Sequence, residues 1–200
     1  LLVLFLAADV LAGNTHVYTV GAVMPSLTSP AGFPIRIILV ADAMSALVSC
    51  MAVTIALLAA VYSWKGIQEA QGVDKFYSLL LLLTAAMLGL SFTGDIFTMF
   101  VFLEISSIAS AGLISFFSKG ESFEAAFKYM ILSATAGLLF LFGVGIFYAQ
   151  YGALNIAAIA SAVQANFSSL NAVAIALIAG ALLLKGGSFP AHMWKPDAYQ

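Results

Sequence analysis

Residues 96–117 read Ile-Phe-Thr-Met-Phe-Val-Phe-Leu-Glu-Ile-Ser-Ser-Ile-Ala-Ser-Ala-Gly-Leu-Ile-Ser-Phe-Phe, and Glu104 is the one charge among them. A helix rises about 1.5 Å per residue and a bilayer's hydrocarbon core is about 30 Å thick, so this run is long enough to cross a membrane. Glu104 lies eight residues past Ile96, about 12 Å along such a helix. That depth is below either interface, where a carboxylate costs several kcal/mol unless it is paired or protonated. Two readings stay open: a carboxyl kept neutral that glues helices together, or a carboxyl poised between neutral and ionised states as a proton relay requires. Ser107 and Ala111 continue its helix face at i+3 and i+7 and are small enough to admit water or a neighbouring helix.

The rest of the chain extends the same pattern. It is 63% hydrophobic and 8% charged, where soluble domains carry about 25% charged residues, so an integral membrane protein is expected. Spans are predicted over 37–63, 76–93, 96–117, 122–148 and 171–194, with 1–12 as part of a further span. Pro25, Pro30 and Pro34, Gly66 and Gly72, and Gly94-Asp95 punctuate them. The expected fold class is all-α, a polytopic transmembrane helix bundle forming a single domain over 1–200; the two-residue alternation of a transmembrane barrel is missing. The chain opens on Leu-Leu-Val-Leu-Phe-Leu without Met and stops at Tyr199-Gln200, and it is expected to be a fragment of a longer protein.

Alternating spans put Lys65, Lys75, Lys119 and Lys195 on one side and Arg36 on the other. Basic residues concentrate in short cytoplasmic loops, so the first group marks the cytoplasmic face and the loops 13–36 and 149–170 the outer one. Nucleic-acid binding has no support in a chain of net charge −2. The lone Cys50 excludes a disulfide framework and reads as a small buried hydrophobe. No Cys/His cluster, glycine-rich phosphate loop or nucleophilic triad is present, so no metal or cofactor is expected and redox chemistry is not expected of this chain.

The remaining ionisable residues differ in context. Lys185 is followed by Gly186-Gly187, with Pro190 five positions on. Proline removes the hydrogen bond to residue i−4, so the helix is expected to break directly after the lysine, the arrangement that places free carbonyls beside ion sites. A desolvated lysine there can exchange its proton as an acid approaches or recedes; the bland alternative is a snorkelling lysine. Lys128 either pairs with Glu124 one turn earlier or hands protons inward from the cytoplasmic side along a face shared with Leu132 and Thr135. Asp42, near the outer end of its span, is an ion-exit position or a structural acid accepting from Ser45, and Asp95 is expected to cap the helix that follows it. Asp9 reads as an interfacial charge. His192, seven residues and two helical turns past Lys185, has the chemistry for proton transfer, whereas His16 lies in the outer loop without such context.

Three motifs, Phe92-Thr93-Gly94-Asp95-Ile96-Phe97-Thr98-Met99-Phe100-Val101-Phe102-Leu103-Glu104, Phe127-Lys128-Tyr129 and the segment Leu184 to Ala198, with a weaker fourth from Val40 to Leu47, give the chain a family resemblance. It resembles the proton-conducting antiporter-like subunits of Mrp-type cation/proton antiporters, respiratory complex I and membrane-bound hydrogenases, and the wording around Gly94 is nearer the Mrp and hydrogenase branch. The resemblance implies a fourteen-helix fold built of two inverted five-helix repeats, of which this chain would be the second to seventh helices. It further implies that Glu104 is the ion-pairing glutamate of the fifth helix, Lys128 a lysine of the sixth, and Lys185 the central lysine of a broken seventh. Two departures stand out: Lys195 occupies a position that is apolar in many relatives, and the second repeat is missing.

The expected function is therefore proton translocation, with Na+ as a possible coupled ion, by a subunit of a multisubunit antiporter, hydrogenase or dehydrogenase complex in a prokaryotic plasma membrane. Its partners would be other membrane subunits, H+ and Na+, and lipid. A self-contained carrier of a small charged solute, and a non-conducting scaffold whose buried charges only pair, remain the rival readings.

Overall fold

The computed structural model describes residues 2–20, 37–67, 72–116, 120–189, 192 and 194–198. Arg36, Lys119, Pro190 and the three prolines at 25, 30 and 34 lie outside them, so the roles expected of these residues concern positions that are not described. In chain order the elements are α1 (Leu2–Leu11), β1 (His16–Val20), β2 (Ile37–Ala41), α2 (Ala43–Ile67), α3 (Val73–Phe92), α4 (Ile96–Ile114), α5 (Gly120–Tyr151), α6 (Ile156–Ala165), α7 (Ser169–Gly186) and α8 (Lys195–Ala198). Among the described residues five helices, α2, α3, α4, α5 and α7, are long and apolar enough to cross a membrane. The expected helical class is borne out.

Three boundaries differ from expectation. Residues 37–41 belong to a strand rather than to the second span: β2 pairs antiparallel with β1, from His16 opposite Ala41 to Val20 opposite Ile37. The apolar run Ile37-Ile38-Leu39-Val40 is rich in β-branched residues, which suit a strand, and the helix waits for its cap at Asp42. The Asp42 carboxylate accepts from the backbone N–H of Ser45 at 2.8 Å, and the Ser45 hydroxyl accepts from the N–H of Asp42 at 2.8 Å, a reciprocal capping box. Residues 156–165, expected as loop, form α6, capped by the Asn155 side chain at 3.0 Å from the N–H of Ala158. The last span, expected to reach residue 194, stops as a helix at Gly186.

Short connections join α2 to α3, α3 to α4 and α4 to α5, so successive helices pack as antiparallel neighbours. The core lies where α4, α5 and α7 meet: Leu103, Phe140, Val144, Leu154 and Ala181 form its centre, with Phe100 stacked on Phe140 at 6.4 Å. α5 turns toward this core a row of mostly small and aromatic residues at three- and four-residue spacing, Ser133, Gly137, Phe140, Val144 and Phe147. Lipid tails are as apolar as leucine, so helices in a membrane associate through close packing, and small residues supply it. Gly143 shows how close: a Cβ there would meet the carbonyl oxygen of Ala174 at 2.9 Å on α7.

The junction where α3, α4 and β2 meet is tied by Gly94-Asp95. Asp95 is 2% exposed; its carboxylate caps α4 by accepting from the N–H of Thr98 at 2.6 Å and holds β2 by accepting from the N–H of Ile38 at 3.2 Å. The N–H of Gly94 donates to the carbonyl of Ile38, and the backbone of residues 94–96 exchanges hydrogen bonds with Leu154 and Ile156 beyond the end of α5. The capping role expected of Asp95 is what the structure shows, and this junction fixes where α4 begins relative to β2 and the end of α5.

Candidate functional site

Depth decides which residues of α4 can act. Glu104 falls midway along Ile96–Ile114, with Ser107 one turn further on the same face. α5 brings Ser133 and Gly137 opposite them, and α7 brings Lys185 from its last turn. These three helices converge on one ammonium group. Lys185 Nζ donates to Glu104 Oε1 at 2.8 Å, to Ser107 Oγ at 2.7 Å, and at 3.3 Å to both Ser133 Oγ and the carbonyl oxygen of Leu103. The hydroxyls are themselves ordered: Ser133 Oγ donates to Ser107 Oγ at 2.7 Å, and Ser107 Oγ donates to the carbonyl of Leu103 at 2.8 Å.

The Glu104 and Lys185 side chains keep 31% and 10% of their surface exposed. The pair is thus enclosed on the lysine side and partly open on the carboxylate side. A charged pair at this depth is tolerable because each charge meets the other and further hydrogen bonds. Gly137 makes room for it: a Cβ at that position would fall on the Glu104 carboxylate. Neither Ser133 nor Gly137 was singled out from sequence, although both lie at i and i+4 on the one face of α5 that is rich in small residues.

The break after Lys185 is made by Gly187, whose φ of 56° places it in the left-handed region that glycine adopts without strain. Its N–H and that of Ser188 close the last turn on the carbonyls of Leu184 and Leu183, and the indole Nε1 of Trp194 reaches back to the Leu184 carbonyl at 3.4 Å. A side chain on Gly187 would collide with Lys195 and Trp194. Lys195, the departure from the family pattern, therefore folds its stem over the break, while Trp194 packs on Tyr129 of α5 with ring centroids 4.9 Å apart.

The other candidates stand apart from this cluster. Lys128 is paired with Glu124 at 2.8 Å across one turn of α5, with both side chains largely exposed. Since α7 ends at Gly186, the two-turn helical relation expected between Lys185 and His192 does not exist; His192 is exposed, with its ring against Phe189 at a centroid distance of 5.8 Å. Asp42 caps α2, and the N–H of Ser45, followed by its hydroxyl, holds the carboxyl below the ordinary carboxylate range. Asp9 accepts from Asn14 at 2.9 Å and meets the His16 imidazole at 2.5 Å, giving His16 a partner that the sequence did not reveal. Among the described residues no group of three His, Cys, Asp or Glu side chains is placed to hold a metal ion.

A bundle of apolar helices enclosing a carboxylate–ammonium pair defines a polytopic membrane protein with an ionisable site in its interior. Residues 93–200 match the family described as NADH:quinone oxidoreductase/Mrp antiporter, TM, and the chain belongs to that family. It is 36% identical over 169 residues to a probable K+/H+ antiporter subunit of Rhizobium meliloti, covering 83% of this chain and 31% of that protein. It is 42% identical over 125 residues to an NADH-quinone oxidoreductase subunit of Desulforudis audaxviator, covering 62% of this chain and 25% of that protein. Among solved structures, a chain of the membrane-bound sulfane sulfur reductase, an archaeal respiratory membrane complex, superposes with a TM-score of 0.88 at 31% identity, covering 99% of this chain and 39% of that one. The chain thus spans about a quarter to two fifths of the proteins it matches.

Proposed function

We propose that this chain is part of a proton-translocating subunit of a multisubunit membrane complex, with Lys185 as the proton carrier and Glu104 as the charge that modulates it. The observation that carries the reading is the 2.8 Å contact between Lys185 Nζ and Glu104 Oε1, made across two helices at mid-span depth. A close carboxylate favours the ammonium form of a lysine, and its withdrawal favours release of the proton; each 1.4 kcal/mol of interaction withdrawn changes that equilibrium about tenfold. The partly open flank of Glu104 supports this role, because a carboxylate sealed on all sides could not turn toward another cation. Lys128, five residues before Ser133 on α5, is the candidate station from which protons reach the interior, and His192 lies in the segment beyond the break, whose Trp194 packs on the neighbouring Tyr129. Asp42 would sit at the outer end of the path.

The names of the relatives support H+ as the translocated ion and Na+ as the coupled cation for this chain, K+ being the one that another relative's name gives. The fold of a respiratory-complex subunit supports further membrane subunits as partners, and a prokaryotic plasma membrane is the setting that the named bacterial relatives suggest. The test is ion translocation by the full-length complex in sealed vesicles, comparing wild type with Glu104→Gln and Lys185→Ala at equal assembly. Loss in both variants is expected; undiminished translocation in both would remove the Glu104–Lys185 pair from the mechanism and leave it a structural contact.

A further inference from the structure

The two hydroxyls at the site are oriented, and their orientation distinguishes the protonation states of Lys185. Each serine has one hydroxyl proton. That of Ser133 is committed to Ser107 Oγ and that of Ser107 to the Leu103 carbonyl, so toward Lys185 both oxygens present only lone pairs. An ammonium, with three N–H donors and no lone pair, suits surroundings made only of acceptors: Glu104, the two hydroxyl oxygens and, sharing a donor at 3.3 Å, the Leu103 carbonyl. When a proton leaves Nζ the electron pair of the broken N–H bond remains on nitrogen as a lone pair, and nothing around it points a proton at it. To donate to that lone pair, Ser133 must give up its bond to Ser107, or Ser107 its bond to Leu103.

We infer that Ser133 and Ser107 are positioning residues for Lys185: as a linked hydroxyl pair bridging α4 and α5, they select its ammonium form and set the pH range over which it can carry a proton. The inference rests on the reading of Lys185 as the carrier. Both serines are 6% exposed, so bulk water does not replace a deleted hydroxyl without entering the packed interface. Other charged and titratable groups lie on the elements around Lys185: Glu121 of α5 is exposed, Tyr151 bonds to Asn171, and His192 beyond the break is exposed with its ring against Phe189. From α4 Lys185 faces Glu104; on α5, Lys128 is engaged with Glu124 and Tyr129 with Trp194; after the break, the Lys195 stem lies against Gly187.

The experiment is the pH profile of ion translocation by the full complex in vesicles, for wild type, Ser133→Ala, the near-isosteric Ser133→Cys, Ser107→Ala and Ser133→Thr, with Lys185→Ala alongside. Turnover begins from protonated Lys185, so the alkaline limb of the profile reports the ammonium fraction. Removing either hydroxyl is expected to move that limb about one pH unit toward acid. Ser133→Cys should move it in the same direction because sulfur is a weak acceptor, and Ser133→Thr, which keeps the hydroxyl, should restore it. A limb unmoved in Ser133→Cys and Ser107→Ala while Lys185→Ala abolishes translocation would overturn this inference and leave the carrier reading intact. A limb shifted in the Ala and Thr variants alike would also overturn it, since packing rather than the hydroxyl would then be the cause. Undiminished translocation by Lys185→Ala would instead remove the carrier reading on which the inference is built.

Discussion

The residue that sets the geometry of the charge pair carries no charge itself. Gly137 lies against the Glu104 carboxylate with no room for a Cβ, so the smallest substitution at that position acts on the pair directly. Gly137→Ala is expected to push the carboxylate off Lys185, destabilising the bundle by about 1–3 kcal/mol as overpacked cores do and reducing proton translocation in complexes that still assemble. Gly145, on the same helix, is the matched control: a Cβ there meets nothing within 4 Å. Gly145→Ala should be neutral or stabilising by up to about 1 kcal/mol, because alanine is the better helix former. Thermal unfolding and vesicle transport on both variants separate the two cases, and equal behaviour would mean that the close approach at Gly137 is relieved without disturbing Glu104. Sequence pointed to Glu104 and Lys185 because a charge in an apolar run is conspicuous. It did not point to Gly137 or Ser133, since small neutral residues in a membrane helix look the same whether they serve packing or chemistry until the opposing helix is known.

At the scale of elements, helix starts are governed by caps rather than by where hydrophobicity begins. Five apolar spans were legible because bilayer thickness imposes a length on them, yet the start of α2 was not: the hydrophobic run continues unbroken from β2 across Asp42, and only the hydrogen bonds of Asp42 and Ser45 mark the change from strand to helix. α6 was missed for a related reason, since a ten-residue apolar helix is too short to register as a span. The cap at Asp42 leads to a prediction with a definite sign. Its carboxyl is held below the ordinary value by the Ser45 N–H. The stability it contributes is therefore fully present above the ordinary carboxylate value of about 3.9 and is lost as pH falls through the lower folded value. Asp42→Ala should cost about 1 kcal/mol at neutral pH, and this deficit should shrink in acid, where the protonated carboxyl caps only as a neutral acceptor does. Asp42→Asn offers an amide oxygen to the same N–H at every pH, so its difference from Asp42→Ala should stay flat. Thermal unfolding of the three proteins from neutral pH into acid decides it; a deficit of Asp42→Ala that persisted unchanged in acid would show that the ionised cap is not its source.

For the whole molecule, the question is which way the bundle faces the membrane, because a proton carrier has a direction only when its two ends are assigned. Large apolar side chains are exposed along the spans, among them Leu57 and Leu58 on α2, Leu81 on α3 and Phe142 on α5; such surfaces suit an apolar membrane interior, and they constrain the bundle's depth without fixing its polarity. Polarity comes from the short connections. Lys65 in the last turn of α2, Lys75 at the start of α3 and Lys195 after the break fall at one end of an alternating bundle, while Asn14, next to the β1–β2 pair, and Gln164 on α6 fall at the other. Basic residues concentrate in short cytoplasmic loops, so the first end is predicted to face inside. In a Cys50→Ser background, Lys75→Cys and Lys195→Cys should react with a membrane-impermeant thiol reagent only in inside-out vesicles, and Asn14→Cys and Gln164→Cys only in right-side-out vesicles. If all four labelled from the opposite sides, Lys185 would sit nearer the outer end of its path and Lys128 would become an exit station rather than an entry. Labelling of Lys75→Cys and Lys195→Cys from different sides would break the alternation itself, and with it the placement of α7 that brings Lys185 to Glu104.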